Sequence, residues 1–127
     1  MYAAERSVLV TIGQALALAA AYPAKDVGVI LDTFHIWWDP QIAELMARAA
    51  GRIFGFHVSD WLVPLPDILM GRGLMGDGVI DNRRLRLLVE KAGYTGPIEV
   101  EIFNRALWES DPDSVLTRVI DRFERFV

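Results

Sequence analysis

Residues 27–40 read VGVILDTFHIWWDP. Val27 to Leu31 is a continuous apolar run rich in β-branched residues, the pattern of a strand covered on both faces. Asp32 ends the run, and Asp39-Pro40 then offers an N-cap followed by proline at the first helical position. The same sequence of strand, loop and helix recurs twice. Ile53 to Val58 forms a second apolar run that carries His57, and Ile98 to Ile102 a third that carries Glu99 and Glu101 on one face. With His57 turned inward, a period of two also turns Ile53 and Gly55 inward and leaves Phe54, Phe56 and Val58 facing the helices.

Helical patterns separate these strands. About Arg6 to Ala21 reads as a helix that stops before Tyr22-Pro23. After Asp39, the residues Ile42, Leu45, Met46 and Ala49 share one face, and Gly51 suits the stop. A long loop with glycines and prolines runs from about Ser59 to Val79. Asp81 then caps a helix with Leu85, Leu88, Val89 and Ala92 on its buried face, ended by Gly93. Asp111-Pro112 opens the last helix, with the stripe Val115, Leu116, Val119, Ile120 and Phe123. The order αβαβαβα, free of internal repeats, predicts an α/β fold with parallel strands and right-handed crossovers. Asp32, His57 and Glu101 then lie at the carboxyl edge of the sheet, where such folds build their sites.

The 127 residues suit one domain, residues 1–127, and fall short of the roughly 250 of a complete (β/α)8 barrel. A net charge of -4 disfavours nucleic acid and anionic membrane as partners, because both demand concentrated positive charge. The absence of cysteine excludes thiolate metal sites and disulfide scaffolds and fits a cytoplasmic protein. Val8 to Ala21 is too short and too interrupted for a membrane span, and Glu5 offsets Arg6 as a signal-peptide start. A mean hydropathy of +0.27 is high for a chain with so much surface to cover. It points to homo-oligomerisation or to truncation.

Asp32, His57 and Glu101 form a mixed oxygen and nitrogen set that suits Mn²⁺, Mg²⁺, Co²⁺ or Zn²⁺ without choosing among them. Singly, each has a plainer reading: Asp32 as a loop cap, His57 as a hydrogen-bonded core histidine, Glu101 as an arginine partner. Together, at three successive strand ends, they favour a metal. His35 follows Asp32 by three residues and is a candidate ligand, substrate contact or loop residue packed on Trp37 and Trp38. Those two tryptophans offer an apolar wall for a ligand or simply pack the loop. RGLMGDGVID, Arg72 to Asp81, is a weak anion-binding pattern in which Arg72 can clamp a phosphate, carboxylate or sugar hydroxyl; a plain turn accounts for it equally. Arg83, Arg84 and Arg86 read as the solvated face of the helix that follows. Asp60 either orients His57 or caps its loop. Glu99 points inward one layer below Glu101, where Gly28 and Gly55 leave room.

The segments GVILDTFHIWWDP, GFHVSDW, RGLMGDGVID and GYTGPIEVEIFN resemble the C-terminal part of the sugar phosphate isomerase/epimerase family, within the xylose isomerase-like TIM barrels. The likeness runs across nearly the whole chain. It implies about the last three strands of a TIM barrel and a divalent metal held by Asp32, His57 and Glu101. In the family the metal polarises adjacent carbonyl and hydroxyl oxygens of a ketose, and glutamate ligands move the proton at the neighbouring carbon. Glu101 would be one of that acid/base pair, His35 resembles the family's histidine near the substrate, and Arg72 its substrate arginine. The family's first glutamate ligand lies on a strand before the point where this chain starts, and MYAAERS resembles the stretch just after it. The resemblance thus supplies three of four ligands and implies a site that needs the missing barrel half, a sugar substrate and little activity alone. The alternative is a non-catalytic half-barrel module for assembly or interaction.

Overall fold

A computed structural model describes residues 7–127, so Arg6 lies outside the described residues. The helix expected from about Arg6 starts only at Ile12, and residues 7–11 before it are not helical. Helix α1, Ile12–Ala19, begins where Thr11 closes a capping box: the Thr11 hydroxyl accepts from the Gln14 N–H, and the Gln14 side chain accepts from the Thr11 N–H. The chain continues through β1 (Val29–Asp32), the one-turn α2 (Thr33–Ile36), α3 (Ile42–Arg48), β2 (Ile53–Val58) and β3 (Asp60–Trp61). Then follow β4 (Arg72–Gly73), α4 (Asn82–Lys91), β5 (Ile98–Val100), α5 (Arg105–Trp108) and α6 (Pro112–Phe126). Strands β1, β2 and β5 form a parallel sheet in that order, the α/β arrangement that the alternating pattern predicts.

The helices cover one face of this sheet. Leu31, Phe56 and Val58 meet Ile42, Leu45, Met46 and Ala49 of α3 and Leu85 and Val89 of α4 in one buried cluster. Each large side chain so buried contributes about 1.5–3 kcal/mol. Asp81 caps α4 by accepting from the Arg84 N–H, and Asp111 caps α6 by accepting from the Ser114 N–H. Gly51 and Gly93 take the positive φ values, 75° and 89°, that end α3 and α4.

Four further expectations need correction. Helix α3 starts at Ile42 with Gln41 as an N-cap that makes no side-chain bond. Asp39 instead accepts from the Gln41 N–H at 2.8 Å and caps the preceding turn. Strict alternation along β2 fails at its start, because Val29 pairs with Ile53 while Ile30 pairs with Gly55, leaving Phe54 as an extra, bulged residue. Ile53 therefore packs on the core, and Phe54 is 52% exposed. The third strand ends at Val100, although Glu101 still donates to the Val58 carbonyl at 3.1 Å. Finally, the long loop holds a short antiparallel ladder, β3 with β4.

Much apolar surface stays uncovered. Ile30 on the inner face of the sheet is 62% exposed. The α6 stripe is split: Val115, Val119 and Phe123 are half-buried, whereas Leu116 and Ile120 are exposed. No helix among the described residues is long and apolar enough to cross a membrane.

Candidate functional site

Strand register brings the site together. Asp32 is the Cα partner of His57, and His57 that of Glu99; Glu101 lies one pleat further along. Asp32, His57 and Glu101 each offer a ligand atom, and these atoms lie within 4.8 Å of one another. Asp32 also caps α2 by accepting from the Phe34 N–H at 3.0 Å. That bond uses Oδ1 and leaves Oδ2 for the cluster. Glu101 Oε1 lies 3.7 Å from His57 Nδ1.

Arg72 joins the cluster from the loop. Its Nη1 donates to Asp32 Oδ2 at 2.8 Å, to Glu101 Oε2 at 3.0 Å and to the Glu101 carbonyl at 3.2 Å. Its Nη2 lies 3.3 Å from His35 Nε2. The guanidinium is held between the rings of Phe34 and Phe103, 4.7 and 5.0 Å from their centres, and the residue is buried. Its backbone is pinned as well. The Arg72 N–H donates to the Phe103 carbonyl, and the Arg72 carbonyl accepts from Asn104 Nδ2 at 2.9 Å. Sequence reasoning did not single out Phe34, Phe103 or Asn104. Asn104 alone carried a local signal, as the N-cap of α5 that accepts from the Leu107 N–H.

His35 sits at the rim, its side chain 45% exposed and its Nε2 3.7 Å from Asp32 Oδ2. Partial burial holds its pKa below the ordinary histidine value; Asp32 pulls against that shift and Arg72 adds to it. The ring meets Phe34 edge-on at 5.6 Å instead of packing on the tryptophans. Trp37 turns to Trp61, 6.0 Å between centres, and Trp38 is partly exposed.

Asp60 is fully buried and organises its own loop. It accepts from the N–H groups of Trp61, Gly76, Gly78 and Ile80 at 2.8–3.0 Å. The glycine-rich stretch therefore cradles an anion that belongs to the protein, and its N–H groups at Gly76, Gly78 and Ile80 are engaged by that carboxylate. Arg86 pairs with Glu90 at 2.7 Å, and Arg83 donates to the Arg125 carbonyl. Glu99 stands beside His57, with Oε2 3.8 Å from Nε2. The room expected over Gly28 is filled by the Phe54 ring, and a side chain at Gly55 would meet Ile30.

The family model described as xylose isomerase-like TIM barrel matches residues 1–125. The inosose isomerase of Halalkalibacterium halodurans is 25% identical over 118 residues, covering 87% of this chain and 40% of its own length. A solved structure of a protein from Sinorhizobium meliloti 1021 superimposes with a TM-score of 0.89 at 42% identity, over 94% of this chain and 44% of that one. The structure of the IolI protein with a bound zinc atom superimposes with a TM-score of 0.75 at 20% identity, over 93% of this chain and 45% of that one; it speaks for the fold alone. The chain spans less than half the length of these relatives.

Proposed function

The chain belongs to the xylose isomerase-like TIM barrel family, and from that premise we propose that residues 1–127 form a partial barrel domain whose site serves metal-dependent isomerisation or epimerisation of a sugar, sugar phosphate or related polyol. Asp32, His57 and Glu101 would hold the ion. The observation that carries this reading is the convergence of their ligand atoms within 4.8 Å at adjacent strand ends. The donor set fits a divalent ion: two carboxylates and one imidazole, with Asp32 and Glu101 each able to offer oxygen and with Zn²⁺, Mn²⁺, Co²⁺ and Mg²⁺ all compatible. The isomerase activity in the name of the Halalkalibacterium relative supports it further.

A bound ion supplies polarisation of a substrate's carbonyl and hydroxyl oxygens. The rest of the chemistry falls to side chains. Glu101 takes the proton from the carbon beside the carbonyl. Returning it to the neighbouring carbon completes an isomerisation, whereas an epimerisation needs a second acid/base group to deliver a proton to the opposite face. The negative charge that develops on the substrate oxygens is met by Arg72. Arg72 also fixes Glu101 through Oε2, leaving Oε1 outside that bond. His35, partly exposed at the rim, hydrogen-bonds substrate hydroxyls. In this reading a second acid/base glutamate and a fourth ligand come from outside the chain, so the chain alone turns over ketoses slowly or not at all. Turnover comparable to that of full-length relatives would overturn that part.

Calorimetric titration with Mn²⁺ of this chain and of His57→Ala tests the site. Saturable binding that the variant loses is the expected result; absence of binding in both proteins sinks the proposal. A second reading, a half-barrel module for assembly, draws on the exposed Ile30 and Phe54. Sedimentation read together with the metal titration separates the two, since an assembly module self-associates through that face without binding the ion.

A further inference from the structure

Glu99 has no part in the chemistry above, yet it shares a face of the sheet with the candidate ligands. Its Cα partner across the ladder is His57, and the two ring nitrogens of His57 face different carboxylates. Nδ1 lies 3.7 Å from Glu101 Oε1, an atom of a candidate ligand, while Nε2 lies 3.8 Å from Glu99 Oε2. Gly55 precedes His57 by two residues on this face. A Cβ there would stand 3.7 Å from Nε2, in ordinary contact with the ring.

We infer that Glu99 is a positioning residue that accepts the Nε2–H of His57 and thereby presents the Nδ1 lone pair to the metal. The inference rests on His57 being a ligand, as proposed above. Imidazole exists in two neutral tautomers, and the hydrogen bond made by one nitrogen decides which lone pair the other offers. A carboxylate on the distal nitrogen also raises the basicity of the ligating one. At 3.8 Å the pair is in ion-pair range and outside hydrogen-bond length. The glutamate side chain is 61% exposed, and a change of its rotamer would bring the two within hydrogen-bond length. Its exposure also means that replacing it leaves the core untouched.

The test compares wild type, Glu99→Ala and Glu99→Gln by Mn²⁺ calorimetry, with circular dichroism as a check on folding. Nitrogen-15 histidine spectra of the Zn²⁺-loaded chain accompany it. Glu99→Ala is expected to weaken metal binding by about 10–100-fold, and Glu99→Gln, which keeps an acceptor oxygen, to recover most of that loss. The spectra are expected to place zinc on Nδ1 of His57 and the proton on Nε2. Unchanged affinity in Glu99→Ala overturns the inference while leaving the metal site standing. Equal loss in Gln and Ala overturns it too, because a direct ligand or a bare charge would then be at work. Zinc on Nε2 has the same consequence. A wild-type chain that binds no metal removes both the inference and the reading beneath it.

Discussion

Arg72 and Asp32 stand 40 residues apart in sequence, and Nη1 of the arginine donates to Oδ2 of the aspartate over 2.8 Å. Both side chains are largely buried, at 7% and 11% exposure. Taking away one partner of such a pair strands the other, at a cost of about 3–5 kcal/mol when burial is complete. Asp32 keeps some access to water, so Arg72→Ala is expected to lose about 2–4 kcal/mol of unfolding free energy in a urea titration. Arg72→Lys recovers little of it. An ammonium replaces Nη1 at most; it offers no second nitrogen beside His35 and cannot lie flat between Phe34 and Phe103. A loss under about 1 kcal/mol for the alanine variant, the range of an exposed pair, would contradict this account of the guanidinium.

Asp60 is the organising residue of the loop between β3 and α4. Its two oxygens take four backbone N–H groups, and the residue is fully buried. Asp60→Ala leaves those donors without a partner, and several orphaned buried N–H groups together cost about 3–5 kcal/mol. Hydrogen exchange gives the sharper readout. The amides of Gly76, Gly78 and Ile80 should lose protection in the variant, while those of β2 and α3 keep theirs. Protection unchanged at all three glycine-loop positions would mean that the loop holds itself without the carboxylate.

The sequence made the repeating units legible because their causes are local. Ile42, Leu45, Met46 and Ala49 share a helix face wherever α3 sits, and the three strand ends follow from alternating units and parallel pairing. The bulge at Phe54 was not legible, since it arises from how β2 pairs with β1, and no period within β2 records that. The surroundings of Arg72 were hidden for a related reason. Phe34 reaches it from α2, Phe103 and Asn104 from the segment after β5, and nothing in their own neighbourhoods marks them as its partners. Asp60 was ambiguous between orienting His57 and capping its loop until the N–H groups 16 to 20 residues away came within reach.

The cap of α6 gives a pH prediction. Hydrogen bonds from Ser114, first from its hydroxyl and then from its N–H, hold the Asp111 carboxyl below the ordinary carboxylate value. A folded pKa below the unfolded one adds stability that is present above the unfolded value, about 4, and is lost as pH falls through the folded value. Wild type should therefore exceed Asp111→Ala in stability at neutral pH, and the gap should close in acid below about pH 4. Ser114→Ala removes the larger cause, so the Asp111 carboxyl followed by NMR should titrate at higher pH. An unshifted titration in that variant would rule out the hydroxyl as the cause.

Metal binding should register as stability, and Arg72 decides how much. A ligand held only by the folded chain stabilises it by about 2.7 kcal/mol at 100 times its dissociation constant. For a chain of this length that raises the melting temperature by about 8–15 °C. The rise should vanish in His57→Ala and in Glu101→Gln, each of which removes a member of the cluster. In Arg72→Ala two effects oppose. The metal-free protein is weaker, because Asp32 and Glu101 lose the cation that pairs with them. The same two carboxylates are then released from a competing positive charge that contacts both, so Mn²⁺ gains affinity and its stabilising effect grows. Melting curves of wild type and Arg72→Ala, recorded with and without Mn²⁺, should show a lower starting point and a larger metal-induced rise in the variant. A rise no larger than in wild type would mean that guanidinium and metal do not draw on the same oxygens, and that Arg72 acts on the substrate side alone.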